Sequence, residues 1–200
     1  MASEPVVALV MAAGRSRRFA GGDKRLAVLP DGRCLLSSSC ALASDVFADV
    51  RVVLREEDDP LALGLIDPAL RIIRAPRGDQ GLGASLADAF GALGRDPALV
   101  NCRAAAVLLG DMPRIDPGTL QRLEAAAERD SILRPCQGGR PGHPVLFGRD
   151  FWSALEGLGG DTGGRPVLCR YPASLRTLAV ADPGIHRDID TAEALAALER

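Results

Sequence analysis

The chain has little of what several common functional classes require. Histidine occurs twice in 200 residues, and the net charge is only −2. Such a balance gives no general attraction to nucleic acid or anionic membrane, so any cationic function must be local. The five cysteines (Cys34, Cys40, Cys102, Cys136 and Cys169) are odd in number and scattered. No pair has zinc-ligand or redox spacing, so they read as reduced thiols, most of them small core residues. No apolar run is long enough for a membrane span or signal segment; the first, Val6 to Ala13, follows an acidic start. A cytoplasmic protein is the expectation. There is no internal repeat and no linker able to divide the chain, so residues 1–200 are expected to form one domain.

What is present is a globular composition, 47% hydrophobic and 25% charged, with β-like and helical patterns in alternation. The expected strands are Val6–Ala12, Asp49–Arg55, Leu70–Arg74, Ala104–Leu109, Ser131–Pro135, His143–Phe147 and Ser174–Val180. The expected helices are Leu35–Phe47, Gly83–Leu93, Pro117–Arg129, Asp150–Leu158, Arg165–Arg170 and Thr191–Arg200. Continuous apolar runs such as Val6–Ala12 suit strands buried on both faces. This order predicts an α/β fold, a Rossmann-like three-layer α/β/α arrangement around a mostly parallel mixed sheet. Ligands then bind beyond the carboxyl ends of the strands, where strand order reverses.

The first strand feeds the stretch from Gly14 to Leu26, which carries three glycines and five cations. Arg15, Arg17, Arg18, Lys24 and Arg25 against Asp23 give a local charge of about +4, which is equal in size and opposite in sign to that of a nucleoside triphosphate. Glycines let the backbone approach phosphates, and N–H groups point at the oxygens. A solvated basic turn is the alternative. The stretch is not a Walker A motif, because Lys24 is followed by Arg25. It is not the dinucleotide fingerprint, because Ser16 stands where the second glycine belongs.

Four later motifs carry chemistry. Asp111 in Leu108–Pro113 follows a buried strand, as do carboxylates that bind Mg2+ together with substrate phosphates. A turn or capping aspartate is the alternative. His143, in a stiff loop between Pro141 and Pro144, suits substrate positioning better than proton transfer, since an ionised phosphate needs no general base. Gly159–Leu168 reads as a turn opening a helix, with Arg165 reaching a ligand. In His186–Leu195, Thr191 can cap the last helix, and Asp188 and Asp190 share a face if extended. One of the two carboxylates can join Asp111 at a metal.

Taken in order, these motifs resemble the molybdenum-cofactor nucleotidyltransferases, and most closely their cytidylyltransferase branch. The matching residues are Ala12-Ala13-Gly14-Arg15-Ser16-Arg17-Arg18 with Lys24, then Gly110-Asp111-Met112-Pro113, Gly142-His143-Pro144 and Asp188-Ile189-Asp190-Thr191. Gln80-Gly81-Leu82 with Ser85-Leu86 resembles the family's nucleotide-contacting stretch. Phe19 stands where the family has Met, and the lysine comes about one residue late. Gly21-Gly22-Asp23-Lys24 resembles the guanylyltransferase branch, whereas Ala12-Ala13-Gly14 and Gly142-His143-Pro144 favour the cytidylyl one.

The resemblance implies transfer of CMP from CTP to the phosphate of molybdopterin, with release of pyrophosphate and Mg2+ as cofactor. It implies that Ala12, Ala13, Gly14, Arg15, Ser16, Arg18, Lys24, Gly81 and Ser85 bind the nucleotide. Lys24, Arg18 and Asp111 would be catalytic. Asp111 would hold the metal, with Asp188 the first choice as second ligand and Asp190 the reserve. His143, Asp161 and Arg165 would face the acceptor. Residues 1–113 would serve mainly the nucleotide and 114–200 mainly the acceptor. The alternatives are a GTP-using guanylyltransferase, a sugar- or polyol-phosphate nucleotidyltransferase, or a non-catalytic nucleotide-binding maturation factor for a molybdoenzyme. A molybdoenzyme or its maturation chaperone would be a partner; nucleic acid and membrane would not.

Overall fold

The computed structural model describes residues 4–15, 19, 22–191 and 194–195. Its strands are β1 (Val6–Met11), β2 (Asp49–Arg55), β3 (Arg71–Ala75), β4 (Ala104–Leu109), β5 (Ile132–Gln137), β6 (Arg140–Pro141), β7 (Val145–Gly148) and β8 (Leu175–Ala179). Its helices are α1 (Leu35–Ser44), α2 (Leu82–Arg95), α3 (Pro117–Ala125), α4 (Trp152–Glu156) and α5 (Arg165–Arg170). β1 lies between β2 and β4, with β3 beyond β2, all parallel. β7 runs antiparallel between β4 and β5, and β8 is parallel to β5. The sheet is therefore mixed and mostly parallel, as the sequence pattern predicts.

Strand alternation sorts the core into two layers. Val6, Ala8 and Val10 of β1 face α1 and α3, where Leu36, Leu120 and Leu123 are buried. Val7, Leu9 and Met11 face α2 and α4. On that side Phe90 meets Phe147 and Trp152 edge to face, at centroid separations of 6.0 and 5.8 Å. The Trp152 indole N–H donates to the Phe147 carbonyl at 3.1 Å, so the ring's one polar atom is satisfied. Asp116 caps α3 through the Gly118 N–H, with Pro117 in the first turn. Among the described residues no helix is long and apolar enough to cross a membrane.

Two expectations change. The strand expected from His143 starts only at Val145, because Gly142 and His143 turn aside. Gly142 donates to Pro135 at 2.9 Å, and His143 N–H to the Ile185 carbonyl at 3.0 Å. β7 thus pairs with β4 only from Ala104 to Val107, and the last two residues of β4 have no partner strand on that edge. The cysteines are unpaired as expected, but only Cys40 and Cys102 are buried, and Cys169 is exposed. The Thr191 hydroxyl oxygen accepts from the Ala194 N–H at 3.2 Å, the bond a cap makes; residues 192–193 and 196–200 of the helix expected there lie outside the described residues.

Candidate active site

Strand order reverses at β1. The chain moves from β1 outward to β2 and β3, then returns to β4 on the other side. The loops leaving β1 and β4 therefore meet at one end of the sheet. Gly110 N–H donates to the Met11 carbonyl at 3.0 Å, which fixes the two loops together. Between them opens a cleft of about 550 Å³, lined by residues of both loops, by Gly78–Ser85 and by Asp161, Asp188 and Asp190.

At its floor the Lys24 ammonium lies between two carboxylates, 2.5 Å from Asp111 and 2.7 Å from Asp190. Burial alone would lower the Lys24 pKa; the two carboxylates outweigh it and hold the pKa above the usual lysine value, so Lys24 is charged. Asp190 arrives because Ile189 N–H donates to the Asp111 carbonyl at 3.0 Å. The Ile189 side chain is buried with Leu29 and Leu35, which leaves Asp188 and Asp190 both lining the cleft. The carboxylate that shares Lys24 with Asp111 is that of Asp190; Asp188, the first choice from sequence as second metal ligand, lines the same cleft.

The residues present fit a divalent cation. Oδ1 of Asp111 is buried with no hydrogen-bond partner, a costly state for a carboxylate oxygen unless a cation uses it. Among the described residues no three candidate ligands form a closed cage. One or two carboxylates that leave the other positions to phosphate oxygens and water are what Mg2+ prefers.

Arg25 is the residue that sequence reasoning missed. Although it follows the cleft lysine, it is only 5% exposed. Its guanidinium donates to the Ala12 carbonyl at 2.9 Å, to Asp58 at 2.6 and 2.9 Å, and to Asp23 at 2.6 Å. Burial would raise the Asp58 pKa, but the hydrogen bonds from Arg25 and Arg55 overcome it and set it at about 2. Arg25 thereby clasps the start of the loop (Ala12), its end (Asp23) and the turn after β2 (Asp58). The Asp23-x-Arg25 spacing signals a local turn bond, but nothing in the sequence marks Asp58 as the partner.

The other expected residues fall as follows. Arg15 pairs with Asp79 through both carboxylate oxygens. Ala12 and Ala13 are buried below the cleft, and Gly14 faces open space. Ser85 lines the cleft while its hydroxyl donates to the Gly81 carbonyl at 3.1 Å. Ser16, Arg17 and Arg18 lie outside the described residues. The local charge of about +4 counted from sequence is largely neutralised, since Arg15, Lys24 and Arg25 each have carboxylate partners.

Asp161 stands at the nucleotide-side cleft, apart from His143 and Arg165. It accepts from the Leu82 N–H at 3.2 Å, and the Gly160 carbonyl accepts from Gly83 at 2.8 Å. The first amides of α2 are therefore taken by this loop. Gly81 makes the close approach possible: its φ is +114°, and a Cβ there would lie 2.7 Å from the Asp161 backbone. His143 and Arg165 share a second cavity of about 260 Å³. Burial lowers the His143 pKa, so the ring is neutral near pH 7.

Comparison with known proteins agrees with this geometry. The family model of the MobA-like NTP transferase domain matches residues 8–175. Among solved structures, Rv0371c of Mycobacterium tuberculosis is 25% identical with a TM-score of 0.81, covering 99% of this chain and 98% of that one. The same protein in complex with manganese is 24% identical with a TM-score of 0.77, covering 98% of each chain. Molybdopterin-guanine dinucleotide biosynthesis protein A from Archaeoglobus fulgidus is 19% identical with a TM-score of 0.63, covering 97% and 96%. Curated proteins gave no significant match. On the span of the family match and the reversal point it covers, the chain belongs to the MobA-like NTP transferase domain family.

Proposed function

We propose that the protein transfers CMP from CTP to the phosphate of molybdopterin or a related phosphomonoester, releasing pyrophosphate. The observation that carries this reading is the Asp111–Lys24–Asp190 arrangement at the reversal point of the sheet. An acceptor phosphate oxygen forms a bond to the α-phosphorus, and the bond from that phosphorus to the β-bridging oxygen breaks in line. Pyrophosphate leaves with the electron pair. The acceptor is already ionised, so the protein positions two mutually repelling anions and stabilises charge on the equatorial oxygens.

Lys24 supplies a fixed positive charge to the reacting phosphates. Ala12, Ala13, Gly14, Gly81 and Ser85 line the nucleotide side, with Arg15, Ser16 and Arg18 assigned to the triphosphate. Asp111 and Asp190 would hold Mg2+, with Asp188 beside them, and the metal when bound would neutralise charge on the triphosphate oxygens. His143, neutral, donates or accepts a hydrogen bond at the acceptor, and Arg165 lies on the same side. Residues 1–113 serve mainly the nucleotide and 114–200 mainly the acceptor, although Asp161 and Asp190 reach across to the first cleft.

CTP is preferred on the Ala12-Ala13-Gly14 and Gly142-His143-Pro144 signatures. The test is pyrophosphate release with Mg2+ and each of CTP, GTP, UTP and ATP, against molybdopterin and simple phosphomonoesters. CTP with molybdopterin should give the largest kcat/KM. Faster release with GTP would reassign the nucleotide, and binding without turnover for every pair would reduce the protein to a carrier.

A further inference from the structure

The second cavity has a composition that the reaction by itself does not explain. It opens where β4 loses its partner strand, and Leu82 and Leu109 line both it and the nucleotide cleft. Its walls are aliphatic and aromatic, with Leu86, Val107, Val145 and Phe147 among them. No carboxylate is among the described residues that line it. Three nitrogen-bearing side chains do line it: Arg134, His143 and Arg165. Nε of Arg134 and Nδ1 of His143 are both buried without a hydrogen-bond partner. Arg25 and Arg55, by contrast, pair with carboxylates.

Arg134 is half-buried, and a guanidinium N–H buried without an acceptor is costly unless a ligand supplies one. The pocket walls add a second requirement. Hydroxyl groups set against Leu86, Val107 and Phe147 would lose water there, and Thr162 is the one hydroxyl side chain among the described residues that line the cavity, so a polyol body is disfavoured. An apolar body would instead bury surface at a gain. From this cavity we infer that the acceptor has two ends: a phosphate that reacts in the first cleft, and an apolar body in the second cavity ending in an anion that Arg134 binds. The inference rests on the nucleotidyl-transfer reading for the first end only. The second end follows from the cavity.

Three probes separate the requirements: 4-carboxyphenyl phosphate, phenyl phosphate and glycerol 3-phosphate. Binding is measured by calorimetry on the full chain, with the His143 ring proton followed by NMR. His143 and His186 are the only histidines, and His143→Gln assigns the signals. The carboxylated aryl phosphate should bind at least tenfold more tightly than phenyl phosphate, and glycerol 3-phosphate most weakly. The His143 signal should move on binding, with that of His186 unchanged. Arg134→Met should bring 4-carboxyphenyl phosphate down to the level of phenyl phosphate and leave CTP binding intact. Equal affinity for the three probes, or an Arg134→Met protein with unaltered preference, would overturn the inference. Failure of nucleotidyl transfer would appear separately, as absent pyrophosphate release from a protein that still ranks the probes.

Discussion

Arg25 offers the most quantitative test of how the phosphate-side loop is built. Arg25→Met keeps the length and apolar stem of the side chain and removes the guanidinium. Asp58, with a side chain only 6% exposed, then loses two of its hydrogen bonds, and the Ala12 carbonyl loses one. Breaking a buried ion pair from one side costs about 3–5 kcal/mol. Asp58 retains Arg55 at 2.9 Å and the Arg55 N–H, also at 2.9 Å. The lower end, about 2–3 kcal/mol, is therefore expected.

Acid provides an independent measure of the same pair. The folded Asp58 pKa of about 2 lies below its ordinary 3.8, so the stabilisation is fully present above pH 3.8 and is lost as pH falls through about 2. That displacement is worth about 2 kcal/mol. Urea unfolding of wild type and Arg25→Met, at neutral pH and through this acid window, reads both effects. The variant should have a lower midpoint with an unchanged slope, and a smaller loss on acidification. A midpoint within experimental error of wild type would refute the view that Arg25 clasps the loop.

Three further outcomes follow from the site. Asp111→Asn should keep its far-UV circular dichroism and melting cooperativity while Mg2+-dependent pyrophosphate release falls at least about 100-fold; near-normal turnover would remove Asp111 from the metal role. Lys24→Met should lose turnover yet bind Mn2+ more tightly without nucleotide, because the ammonium no longer occupies the space between Asp111 and Asp190. Electron paramagnetic resonance titration reads this, and weaker Mn2+ binding would contradict it. Gly81→Ala places a Cβ against the Asp161 backbone at a positive φ; a loss of about 1–3 kcal/mol, or several degrees of Tm, is expected in thermal melts.

The sequence made the parallel half of the sheet readable, because β1 and β4 are apolar on both faces and β2 alternates Val50, Val52 and Leu54 with Asp49, Arg51 and Arg55 at a strand's period of two. The site was readable as far as its motifs follow those strands: Lys24 and Asp111 meet as the reversal point requires. What could not be read depends on pairings between distant segments. Asp188 and Asp190 have the same chemistry and face the same cleft, and only the docking of Ile189 on Leu29 and Leu35 decides which one reaches Lys24. Arg25 looks like one more phosphate-binding cation until Asp58 is seen beside it. Arg134 carried no signal in sequence, since an arginine within an otherwise apolar strand gives no indication that its Nε will lack a partner.

The segment from Asp182 to Asp190 has a consequence for the order of assembly. It is tied to the rest by the Asp116 N–H, which donates to the Asp182 carboxylate, and by backbone bonds between His143 and Ile185 and between Ile189 and Asp111, and its last carboxylate closes on a lysine 166 residues earlier in the chain. Closure over so long a stretch of sequence comes late in folding, after the local strand and helix pairs have formed. During synthesis β1, β2, β3 and β4 all emerge before Asp190 does. The core strands can thus form while the Asp111–Lys24 pair still lacks Asp190, so this cluster of charges is completed after the sheet beneath it.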